Sequence, residues 1–111
     1  MSGAIVAVVI RVCTPGVPAF QLRKGEEGLS VFDPEAVEPL LTEQEILDAF
    51  RPGSTVVYRS AEQIASLGLT LLATEAAESL PERLRTSHRE IRPGSSMSRA
   101  AFKTALRELE E

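Results

Sequence analysis

The 111-residue chain is 43% hydrophobic and 25% charged, with one cysteine and no tryptophan, which is the make-up of an ordinary globular domain. A lone thiol excludes an intramolecular disulfide scaffold and a multi-cysteine zinc site. The net charge of −4 is segregated: residues 1–25 carry +3, residues 26–82 carry −10, residues 83–107 carry +6 and the last four carry −3.

The first apolar run, Ala4 to Ile10, spans seven residues, about a third of the ~20 that a membrane-spanning helix needs. No base precedes it, so the chain reads as cytoplasmic, without a signal peptide or membrane contact. Ala4 to Cys13 has apolar residues at both parities, which predicts a central strand covered on two faces. Thr14 to Glu27, with Pro15, Gly16, Pro18 and Gly25, reads as a loop, and Leu29 to Phe32 as a second strand.

Asp33-Pro34-Glu35 has a capping carboxylate, a first-turn proline and an acid at the dipole's positive end, which predicts a helical turn stopped by Pro39. Thr42 and Glu45 have capping-box spacing, with Leu41 and Ile46 as the hydrophobic staple. Ile46, Leu47 and Phe50 form the buried stripe of that helix. Arg51-Pro52-Gly53-Ser54 predicts a type II turn. Thr55 to Arg59 reads as a strand with Tyr58 in the core. Ser60 and Gln63 form another capping box, and Gly68 ends the short helix that follows.

Leu69 to Thr74 predicts a fourth strand. The helix before it is too short for a usual parallel crossover, so the sheet is expected to be antiparallel or mixed. Glu75 to Arg85 is ambiguous, a helical pattern interrupted by Pro81. Thr86 to Arg92 reads as the last strand, followed by a second Arg-Pro-Gly-Ser turn. Ser98 caps the final helix, with Met97 and Phe102 as staple and Phe102, Ala105, Leu106 and Leu109 facing inward. Together these elements predict one α+β domain over residues 1–111, with a mixed or split, mostly antiparallel sheet and short helices.

Phosphate-loop, dinucleotide-fingerprint, zincin and hydrolase-elbow motifs are absent. Arg11, near the end of an apolar strand, must reach the sheet edge, pair, or meet an anion, because burying a bare guanidinium is costly. His88, Glu90 and Arg92 share one strand face, a row suited either to an anionic, hydroxyl-rich ligand or to ordinary solvent-facing ion pairs. Cys13 reads as a packing residue. Glu43 and Glu45 have the acid spacing of some transferase sites, but capping explains Glu45. If the fold joins the two basic segments, one positive surface results that suits nucleotide phosphate, nucleic acid or an acidic protein. Without aromatic interleaving, nucleic acid is the least favoured of these.

Arg11-Val12-Cys13-Thr14-Pro15, Gly28-Leu29-Ser30-Val31-Phe32-Asp33 and His88-Arg89-Glu90-Ile91-Arg92-Pro93, the last followed by Met97 and an amphipathic helix, form a recognisable series. Loosely from Arg11 to Leu109, the chain resembles the small type VI secretion effector toxins of the ADP-ribosyltransferase-like class and their relatives encoded outside secretion systems. The resemblance implies a split-sheet fold, NAD as ligand, an intracellular target and a protective antitoxin or immunity protein. By that analogy Arg11 would contact a phosphate or ribose, Ser30 the nicotinamide ribose, and His88 the same cleft. The sequence has no strand-borne Glu-x-Glu, so Glu90 is the catalytic candidate. A degenerate, non-catalytic transferase fold and a non-enzymatic protein-interaction domain with segregated charge are the alternative readings.

Overall fold

The computed structural model describes residues 7–74 and 78–110. Its spine is strand β1 (Val8–Cys13), whose apolar residues at both parities are covered on both sides. β3 (Thr55–Ser60) pairs with it along the whole length, from Val8↔Ser60 to Cys13↔Thr55. β2 (Leu29–Phe32) meets its other edge at Ile10↔Phe32. β2 also pairs with β5 (His88–Arg92), and β5 with β4 (Thr70–Ala73), which gives the order β3-β1-β2-β5-β4. Every pairing among the described residues is antiparallel, and the short segment between β3 and β4 links opposite edges of the sheet instead of adjacent strands.

Alternation of side chains divides the core into two layers. Val9, Leu29, Val31 and Ile91 face α2 (Ala61–Ser66) and α4 (Arg99–Leu109), where Ile64, Phe102, Leu106 and Leu109 complete the packing. Ile10 and Phe32 face the opposite way, toward Ile46 of α1 (Glu43–Asp48) and Leu84 of α3 (Glu82–Ser87). The inward stripe predicted for the last helix, Phe102, Ala105, Leu106 and Leu109, is buried in full. Phe20 and Leu22 anchor the 14–27 loop in the α4 layer.

Local capping chemistry explains the helix starts. The Thr42 hydroxyl accepts from the Glu45 N–H and the Glu45 carboxylate from the Thr42 N–H, the reciprocal capping box. The Ser60 and Ser98 hydroxyls accept from the N–H groups of Gln63 and Ala101. Asp33 caps a single 3-10 turn, Pro34–Ala36. At Ser60 only the hydroxyl arm of the expected box forms among the described residues.

Four expectations change. Pro81 starts a helix instead of interrupting one, because the first turn needs no N–H from it. Thr86 and Ser87 close α3 instead of opening β5, and the buried Ser87 hydroxyl donates to the Arg83 carbonyl at 2.8 Å. Tyr58 is 44% exposed on the β3 edge and is not core. The turn expected over Arg92 to Ser95 falls later, at Gly94 to Met97, where the Met97 N–H closes on the Gly94 carbonyl. Glu75 to Ala77, part of the ambiguous stretch, lie outside the described residues, as do residues 4–6 of the first predicted strand.

Candidate site at the split between β1 and β2

Among the described residues β1 and β2 are joined at one residue pair, Ile10↔Phe32. The 14–27 loop folds over the opening beyond that pair, where a cleft of about 230 Å³ is lined by Arg11, Arg23, Glu26, Ser30, Phe32 and Phe50 among others. Arg11 belongs to the Val9 face by alternation, and its guanidinium spans the opening. Nε donates to the Ala19 carbonyl at 2.7 Å and Nη1 to the Ser30 carbonyl at 2.8 Å. Among the described residues it has no ion-pair partner. Burial pushes its pKa below the ordinary arginine value, while the charge of Glu26 acts in the opposite direction.

Two carbonyls thus fix the fork of the guanidinium and leave its other N–H groups without a protein acceptor among the described residues. Arg23 adds a second cation to the wall, and Glu26 accepts from the Arg23 backbone N–H at 2.7 Å. Phe50 stands edge-on to Phe32, with ring centroids 6.0 Å apart, and gives the cleft an apolar side. Such a cavity is chemically suited to an anion against the arginine and an apolar group against Phe50. Cys13 also lines it, and its Sγ lies 4.0 Å from the Arg11 carbonyl.

Of the sequence candidates, Arg11 and Ser30 line the cleft. Ser30 is the direct cross-strand partner of Glu90, so the two side chains are neighbours on one sheet face. Glu90 pairs with Arg92, whose other side approaches Glu27 at 3.9 Å. Glu90 is not among the lining residues, and neither is His88. His88 is 6% exposed, packs edge-on against Phe32 at 5.7 Å, and its Nδ1 lies 3.1 Å from the Thr74 hydroxyl. The row His88-Glu90-Arg92 therefore neither faces solvent throughout nor opens as a unit: its first member is core, and its other two pair with each other.

Arg23, Glu26 and Phe50 carry no mark of the site in the sequence. The first two were legible only as charges in a Pro/Gly-rich loop, and Phe50 as part of a helix stripe. Among the described residues no group of three His, Cys, Asp or Glu side chains could hold a metal ion, and no helix is long and apolar enough to cross a membrane. No family model, curated protein or solved structure matches this chain.

Proposed function

We propose that this chain is a small ADP-ribosyltransferase-like domain of toxin type that binds NAD at the split between β1 and β2. The observation that supports it most is Arg11, a partly buried guanidinium held by two carbonyls at the mouth of a cleft, with no carboxylate partner among the described residues. An anionic ligand resolves that arrangement, because a desolvated guanidinium is best matched by a phosphate or carboxylate. The cleft, at about 230 Å³, is smaller than the roughly 300–1,000 Å³ of pockets that engulf a drug-sized ligand. It suits the nicotinamide ribose with its phosphate, and the adenosine end remains outside.

In ADP-ribosyl transfer the bond between the nicotinamide nitrogen and the ribose carbon breaks, and nicotinamide leaves with the electron pair. The ribose then carries positive charge until an acceptor nucleophile or water adds to it. A carboxylate beside the ribose stabilises that charge. Glu90, opposite Ser30 and oriented by Arg92, is the carboxylate this reading assigns. A toxin-type activity calls for a protective protein partner in the cell that makes it.

Ligand-observed NMR with NAD tests the reading. Saturation transfer to the nicotinamide and ribose protons is expected, with loss in Arg11→Ala while the helical circular dichroism is retained. Free nicotinamide accumulating over hours, and ceasing in Glu90→Gln, establishes catalysis. No transfer at millimolar NAD overturns the proposal.

A further inference from the structure

The cleft leaves most of the basic charge on α4 without a role. Arg99, Lys103 and Arg107 recur every fourth residue along α4 and are all exposed. Like charges at that spacing lie side by side on one helix face and weaken the helix, so an unrelieved stripe is costly to keep. Arg99 is satisfied internally, donating to the carbonyls of Glu26 and Arg23 at 2.7 and 2.8 Å and tying α4 to the 14–27 loop. Lys103 and Arg107 have no ion-pair partner among the described residues. They overlook a groove of about 490 Å³ between the helix and the loop, with Pro18, Phe20 and Leu22 on its apolar side. At one end the Phe20 N–H already donates to a carboxylate, Oε2 of Glu110, at 2.7 Å.

We infer that this groove docks an acidic peptide segment of a partner protein. One apolar side chain lies against the exposed Pro18, with carboxylates on Lys103 and Arg107. The same observations disfavour a nucleic acid. Phe20, the one aromatic in the groove, is 2% exposed and capped by the Arg59 guanidinium, 5.1 Å from the ring centroid, so no base can stack there. Glu110 in the groove would repel an evenly charged phosphate chain. A peptide can set its carboxylates only where the cations are. The groove adjoins the NAD cleft, sharing Pro18 and Gln21 with it, but Lys103 and Arg107 line the groove alone, so the inference does not depend on NAD binding.

The test is fluorescence anisotropy of the full chain with a short labelled peptide of Glu and Asp around a central Leu. Its control is the same peptide with Gln and Asn in place of the acids. The acidic peptide is expected to bind at low salt, weaken markedly near 0.15 M salt, where screening acts within about 8 Å, and outcompete the amide peptide. Lys103→Glu with Arg107→Glu is expected to weaken it about five- to tenfold, the worth of two exposed ion pairs. The milder Lys103→Gln with Arg107→Gln serves should charge reversal disturb folding. Equal binding of both peptides, no binding at low salt, or indifference to both double variants overturns the inference. Tighter binding of an oligothymidylate that the same variants abolish assigns the groove to nucleic acid and overturns it too. Concentration-dependent sedimentation that they abolish does the same in favour of a second copy of the chain.

Discussion

Gly53 has a φ of 91° and sits at the third position of a turn that the Ser54 N–H closes on the Arg51 carbonyl at 3.2 Å. Gly94, in the second Arg-Pro-Gly-Ser, is not in the left-handed region. A Cβ there would collide with the Gly68 carbonyl oxygen. The same four letters therefore need glycine for two different reasons, torsion at one place and space at the other. Asparagine separates them, because its short polar side chain tolerates positive φ but fills space. Gly53→Ala is expected to cost about 1–2 kcal/mol and Gly53→Asn less. Gly94→Ala is expected to cost about 1–3 kcal/mol, the range for forced overpacking, and Gly94→Asn at least as much. Urea denaturation of the four variants checks this, and rescue by asparagine at position 94 would refute the steric account.

Between elements, the Arg83–Glu45 pair joins α3 to the start of α1. Arg83 Nε reaches Glu45 Oε2 at 2.7 Å, and its Nη2 donates to the Pro39 carbonyl at 2.7 Å. The bonds to Glu45, led by the one from Arg83 and followed by the Thr42 N–H, hold its carboxyl down at about 2, from 4.5. The folded protein keeps this carboxylate ionised where the unfolded chain has taken up a proton. The stabilisation is therefore fully present above about pH 4.5 and is lost as pH falls toward 2. Glu45→Gln keeps a side-chain acceptor for the capping box and removes the titration. Its stability is expected to fall less steeply with acid over that window in urea melts. Parallel acid limbs for the two proteins would exclude Glu45 as the titrating group. The capping box itself was legible in Thr42 and Glu45, since it is written within four residues. The partner that perturbs it was not, since Arg83 lies 38 positions away. Pro81 misled for a related reason: proline forbids a helix interior and favours a first turn, and only the neighbouring packing decides which applies.

Across the whole molecule, local signals specified the elements and left their arrangement open. Caps, turn glycines and the α4 stripe are encoded in neighbouring residues. The order β3-β1-β2-β5-β4 depends on pairings such as Val8↔Ser60 and Phe32↔His88, which no short window records. Arg11 stood out as a charge in an apolar strand, and Ser30 came only from the family resemblance. The cleft they share exists because β1 and β2 meet at one residue pair, and Phe50 and Arg23 reach it from other elements. That single joint also raises a question of cooperativity, since Ile10 and Phe32 on one face and Val9 and Val31 on the other belong to separate apolar clusters. The strands themselves are shared: β1 and β2 each contribute to both clusters, so loss of one layer strips the backing from the other. Leu106 is fully buried in the α4 layer, and Leu106→Ala is expected to cost about 2–5 kcal/mol. Native-state hydrogen exchange shows how that loss is distributed. If the sheet couples the layers, slow amides of α1 and β3 lose as much protection as those of α4. Protection kept in α1 and β3 while α4 exchanges freely would mean that the layers on the two faces of the sheet fold as independent units.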